Sequence, residues 1–131
     1  MVGIVVREGR VLALRRAADR DVGAGLWEAI SGRVERGEDP LQAVQREIAE
    51  ETGLQVEIDP RPVDAYAARR GEEPMTVVCY RASWLGGEVS RSDEHDAHDW
   101  CTPDELAARG SPARLVEAIR RAVEMSGVAH A

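Results

Sequence analysis

Apolar and polar positions alternate in short blocks over most of the chain, the period of strands, and shift to a helical period in two places. Residues 2–6 and 11–15 are β-rich runs on either side of Arg7-Glu8-Gly9-Arg10, which predicts a hairpin. Residues 17–25 are charged and glycine-bearing, hence a loop, and Leu26-Trp27-Glu28-Ala29-Ile30 resumes an extended pattern before Ser31-Gly32. The first helical period follows Asp39. That acid suits an N-cap, Pro40 suits the first helical position, Leu41, Val44, Ile48 and Thr52 recur along one face, and Gly53 suits the stop.

Residues 54–58, 63–68 and 75–84 read as strands, separated by Asp59-Pro60 and by Gly71-Glu72-Glu73-Pro74. After Gly86-Gly87, residues 88–99 are polar apart from Val89 and Ala97, and Trp100-Cys101 reads as a short strand. Thr102-Pro103-Asp104-Glu105 is a capping box, and Ser111-Pro112 starts a last helix in which Leu115, Val116, Ile119 and Val123 recur. Strands, helix, strands, helix predicts a mixed sheet covered by helices, an α/β or α+β sandwich.

Composition narrows the function. The length of 131 residues suits one domain spanning 1–131, and a formal net charge of -7 lacks the basic stripe that a nucleic-acid polymer requires. The first apolar run is broken by Arg7 and Glu8, too early for a signal segment, and no run approaches the roughly 18 residues of a membrane span. The expected location is cytoplasmic, with no membrane partner. Cys79 and Cys101 sit in neither a CxxC nor a zinc spacing and are expected to be reduced structural thiols.

Within the helix from Pro40, Glu47, Glu50 and Glu51 fall at about 240°, 180° and 280° from Leu41, beside an apolar arc centred near about 340°. Like charges crowded in this way are costly without a cation, and oxygen-rich clusters suit Mg²⁺ or Mn²⁺. A solvated acidic face is the alternative for any isolated ExxEE.

These acids are not isolated. Gly32, five residues, Glu38, seven residues, then Arg46-Glu47-Ile48-Ala49-Glu50-Glu51-Thr52-Gly53-Leu54 matches the box GX5EX7REUXEEXGU, U being aliphatic, and on it the chain resembles the Nudix hydrolases. Gly25-Leu26-Trp27-Glu28 resembles the family's GLWE lead-in; Ile30-Ser31-Gly32 departs from its usual Pro-Gly-Gly, and the first strand starts almost at Met1. The resemblance implies an α/β/α sandwich with a mixed sheet. It also implies Mg²⁺ (or Mn²⁺) on Glu50, Glu51, Glu47 and the Gly32 carbonyl, with Arg46 orienting Glu47 and Glu38 bridging loop to helix or approaching a metal. The general base it implies is Glu47 or Glu94.

Outside the box, Arg15 or Arg16 is a candidate for phosphates, at most one of them because neighbours on a strand face opposite ways. Trp27 is a candidate to stack on a base. The acid and histidine cluster Asp93, Glu94, His95, Asp96, His98 and Asp99 reads mostly as solvated loop. The implied reaction is hydrolysis of a pyrophosphate bond in a small nucleotide. The substrate class is a nucleoside diphosphate derivative of the ADP-ribose or nucleotide-sugar type, or a MutT-like triphosphate. The alternative is a non-catalytic nucleotide-sensing or interaction module. A homodimer is possible, with Val77, Cys79 and the last helix as apolar surface.

Overall fold

The computed structural model describes residues 1–19 and 23–128, the side chains as far as Met125. Of the loop expected over 17–25, residues 20–22 lie outside the described residues. The hairpin forms as expected: β1 (Val2–Arg7) and β2 (Arg10–Arg16) pair antiparallel. Glu8 and Gly9 both have positive φ, 50° and 77°, as in the tight turns that match strand twist. β3 (Trp27–Glu28) pairs with the end of β2, and β4 (Ile30–Ser31) with the start of β1.

Helix α1 (Pro40–Thr52) ends at Gly53, whose φ of 70° is left-handed. It lies close on β1, since a Cβ at Gly3 would stand 2.8 Å from Val44 Cγ2. β5 (Gln55–Ile58) and β6 (Asp64–Arg70) pair antiparallel with the long β7 (Glu73–Gly86), which runs parallel to β1. The sheet is therefore mixed. Glu73 and Pro74, expected in the turn, begin β7; the turn is Gly71-Glu72, and Pro74 sits opposite Arg69.

β8 (His95–Cys101) pairs with β2 and begins well before the expected Trp100. Cross-strand pairing and burial, which local polarity does not reveal, make a strand of it. Its register skips at Asp96, since Arg15 faces Ala97 but Arg16 faces His95. This bulge turns His95 to the side of the sheet occupied by Arg16. α2 (Pro103–Ala108) carries the expected capping box, Thr102 Oγ1 accepting from the Glu105 amide, and α3 (Ala113–Val128) follows.

Two apolar layers flank the sheet. Leu12, Leu14, Ile30 and Tyr80 meet Ala43, Val44 and Ile48 of α1 on one face. Val11, Ala13, Cys79 and Cys101 meet Leu106 of α2 and Leu115, Ile119 and Ala122 of α3 on the other. Burying a residue such as Ile48 is worth about 1.5–3 kcal/mol, so each helix is held by its apolar face. Cys79 and Cys101 are buried free thiols. Val77 and Cys79 lie in the chain's own core and do not supply the apolar surface expected of them for a dimer. Among the described residues no helix is long and apolar enough to cross a membrane.

Candidate active site

The loop after β4 and the exposed flank of α1 form one wall of a cleft, because the helix docks at β1 through Val44 and Ile48 and its acids lie beside that seam. Gly32 makes the approach possible. A Cβ there would lie 2.4 Å from Glu47 Cδ and Oε1, so any larger residue would displace this carboxylate from its present position. The Gly32 carbonyl accepts from the Met1 ammonium at 2.8 Å and keeps a second lone pair.

Arg46 organises the acids. Its Nε donates to Glu38 Oε2 at 2.8 Å and Nη2 to Glu38 Oε1 at 3.0 Å, tying loop to helix. Nη1 donates to Glu47 Oε1 at 2.8 Å and more weakly to Glu50 at 3.5 Å, while Nη2 also reaches the Arg33 carbonyl at 3.0 Å. The guanidinium fork pulls the Glu38 carboxyl down to about 2. Glu50 itself is largely exposed.

Glu51 is the unusual group. It is an acid only 5 % exposed, and its Oε2 has no hydrogen-bond partner. Burial, then the charges of Glu47, Glu94 and Glu28, push its carboxyl up to about 9. A buried, unpaired carboxylate oxygen facing other carboxylates asks for a cation or a proton. Ligand-capable atoms of Glu51, Glu94 and His95 lie within 4.8 Å of one another. The residues present therefore fit a hard divalent cation.

Strand parity decides which other residues reach the cleft. Leu12, Leu14 and Arg16 face the α1 side, as does Glu28, which sits opposite Leu14. Arg16, Glu28, Gly32, Glu47 and Glu94 line a cleft of about 520 Å³, together with Arg69 and Arg70 from the end of β6. Arg15 and Trp27 face the other way. Arg15 pairs with Asp96 at 2.7 Å, and Trp27 stacks under Arg109 at 4.4 Å, so neither lines this cleft.

The acid and histidine cluster divides likewise. Asp96 and Asp99 pair with Arg15 and Arg109, and His98 contacts Arg91, whereas Glu94 and His95 turn to the carboxylates. His95 is buried, with Nε2 at 3.0 Å from Glu28 Oε2, not the solvated loop residue expected. Glu28 and the Arg69-Arg70 pair were given no role from the sequence, and His95 was read with its cluster as mostly solvated loop. Glu28 takes its direction from the pairing of β3 with β2 and His95 from the bulge, and neither is written in the local sequence.

Beyond the cleft, an apolar pocket of about 590 Å³ opens on the α3 side, with Tyr66, Ala68, Met75, Val77 and Leu115 in its walls. The two spaces share Leu26, Glu28, Ser31, Gly32, Arg69 and Arg70.

A sequence profile of the NUDIX domain matches residues 1–124. The chain is 37% identical over 123 residues to a MutT-like protein of Streptomyces ambofaciens, spanning 91% of this chain and 75% of that one. It is 32% identical over 108 residues to the CTP pyrophosphohydrolase of Escherichia coli (strain K12), spanning 80% and 76%. The crystal structure of a MutT protein from Methanosarcina mazei Go1 has the same fold, with a TM-score of 0.81 and 23% identity over 95% of this chain and 91% of that one. Enzymes of this kind generally use divalent metals. Profile, homologous sequences and fold agree: the chain belongs to the Nudix hydrolase family and is a pyrophosphohydrolase acting on nucleotide derivatives.

Proposed function

We propose that the chain hydrolyses a pyrophosphate bond of a nucleoside triphosphate or nucleoside diphosphate derivative, with Mg²⁺ or Mn²⁺. The phosphates would occupy the acidic cleft and the nucleoside the apolar pocket beside it. The observation that carries this reading is Glu51, a buried carboxyl with an unpartnered oxygen among Glu47, Glu94 and Glu28. Glu47, Glu50, Glu51 and the Gly32 carbonyl would hold the cation, with Glu94 able to join them. When bound, the cation supplies positive charge to the phosphoryl oxygens and makes the attacking water more acidic.

The rest is the work of side chains. Arg46 holds Glu47 Oε1 at 2.8 Å, so this carboxylate keeps one orientation and leaves Oε2 for the cleft. Glu47 or Glu94 takes the proton from the attacking water at a carboxylate oxygen. Arg69, Arg70 and Arg16 line the same cleft and offset the negative charge of the phosphates. A triphosphate is the favoured form, because the E. coli relative is a CTP pyrophosphohydrolase.

The test is incubation with Mg²⁺ or Mn²⁺ and a panel of nucleoside triphosphates, ADP-ribose and nucleotide sugars, with products separated by ion exchange. Release of a nucleoside monophosphate from at least one member is expected. Absence of turnover for every member with both metals would overturn the reading.

A further inference from the structure

Among the described residues, two buried side-chain polar atoms are left without a hydrogen-bond partner, Glu51 Oε2 and His95 Nδ1. Both residues belong to one group. A ring nitrogen of His95 and one oxygen each from Glu51 and Glu94 lie within 4.8 Å of one another. Three segments supply them: Glu51 stands in the last turn of α1, Glu94 in the loop before β8, and His95 at the first position of β8. Glu94 is exposed and lines the cleft, whereas Glu51 and His95 are buried and take no part in its wall. The group therefore reaches from the cleft into the interior.

Glu28 holds the imidazole from the other side. Its Oε2 stands 3.0 Å from His95 Nε2 and also accepts from Arg16 at 3.4 Å. A carboxylate accepts, so the neutral ring carries its hydrogen on Nε2 and an open lone pair on Nδ1. A carboxylate behind one ring nitrogen is the arrangement that fixes the tautomer and orientation of a ligating histidine. A buried lone pair and a buried carboxylate oxygen are both costly when nothing positive meets them. A proton shared between them would require hydrogen-bond reach, and neither atom has a partner at that distance. A cation can serve both.

The donor set selects among cations. Mg²⁺ prefers oxygen ligands and gives up its waters reluctantly, which suits it poorly to a position where two of three ligands are buried and one is a nitrogen. Imidazole suits transition-metal ions. We propose that His95 is a metal ligand, forming with Glu51 and Glu94 an inner position that takes a cation of the Co²⁺ or Zn²⁺ class in preference to Mg²⁺. The inference rests on the reading that the chain works with a divalent cation, and it adds a nitrogen ligand to the carboxylates and carbonyl of that reading.

The experiment loads the metal-free protein with Co²⁺ and records its proton NMR spectrum, in which the ring N–H of a ligating imidazole is shifted far outside the ordinary range. The wild type is expected to show such a signal, retained in His98→Asn and absent from His95→Gln. Calorimetric titration with Co²⁺ and with Mg²⁺ gives the preference directly. The ratio of the two affinities should fall by about tenfold or more in His95→Gln, chiefly through weaker Co²⁺ binding. Bound Co²⁺ without a shifted ring N–H in the wild type, a measurement that needs no variant to fold, would overturn the proposal. An unchanged affinity ratio in a folded His95→Gln would do the same. Either result, with Mg²⁺-dependent turnover present, leaves the hydrolytic reading standing; no metal bound and no turnover would overturn both.

Discussion

Arg46 grips Glu38 with two nitrogens, Nε to Oε2 at 2.8 Å and Nη2 to Oε1 at 3.0 Å, while a third nitrogen holds Glu47. One planar group thereby sets the loop, the helix and a candidate metal ligand in a single register. Lysine cannot reproduce this, having one nitrogen on a flexible stem. Arg46→Lys should lower kcat by about tenfold or more through misplacement of Glu47, with a small change in Tm. Glu38 adds an acid limb. Its folded carboxyl titrates near 2 against an ordinary 4.5, so the stability it contributes is present above pH 4.5 and lost as pH falls toward 2. Glu38→Gln should flatten that limb in thermal melts taken across the acid range.

Glu51 shifts the other way. Its folded carboxyl keeps its proton to about 9, whereas the unfolded chain releases it near 4.5. The folded state binds more protons between these values, so the metal-free protein should lose stability as pH rises through that window. Glu51→Gln, neutral and of the same shape, should flatten the slope and raise the melting temperature at pH 8 by several degrees in the presence of a chelator. Turnover should vanish in the same variant. Adding Mg²⁺ or Mn²⁺ to the wild type at pH 8 should raise its Tm, and chelation should reverse the gain. A melting temperature that rises with pH in the chelated wild type would show that Glu51 is ionised without a cation.

Gly32→Ala tests the close approach of loop and helix. The new methyl would fall 2.4 Å from the Glu47 carboxylate, and the end of a flexible side chain yields more easily than backbone. Glu47 should swing away, leaving the melting temperature nearly unchanged while activity falls by about tenfold or more. A fully active Gly32→Ala would mean that the orientation of Glu47 carries no catalytic weight.

The neighbouring arginines of β2 give a paired test of strand parity. Arg16 lines the cleft and contacts Glu28, whereas Arg15 sits on the other face in an exposed pair with Asp96. Arg16→Ala should reduce kcat/KM by about tenfold or more, and Arg15→Ala by less than about twofold, an exposed ion pair being worth little. Steady-state kinetics on the two variants decides it, and the reverse order would contradict the assignment of faces.

What was legible in the sequence was what local chemistry dictates. Asp39, Pro40 and Gly53 bound α1 because capping and left-handed backbone preferences act within a few residues. The spacing of Glu47, Glu50 and Glu51 follows from helix geometry alone. Arg15 and Arg16 were recognisable as alternatives, but the face each occupies depends on pairing with β3 and β8. The same holds for Trp27, whose partner Arg109 is remote in sequence. His95 was illegible for a sharper reason: a one-residue bulge at Asp96 reverses its direction, and nothing in a run of polar residues announces a bulge. Arg69 and Arg70 reach the cleft from the end of β6, a contact between distant segments.

The sheet that separates α1 from α3 also separates two kinds of risk. The carboxylates stand on one side, Arg114 and Tyr66 on the other, and the two spaces share six lining residues. On the proposed placement of the nucleoside, drift on the α3 side changes which nucleotide is admitted while the hydrolytic apparatus stays intact. New specificity in such a scaffold need not pass through a dead intermediate.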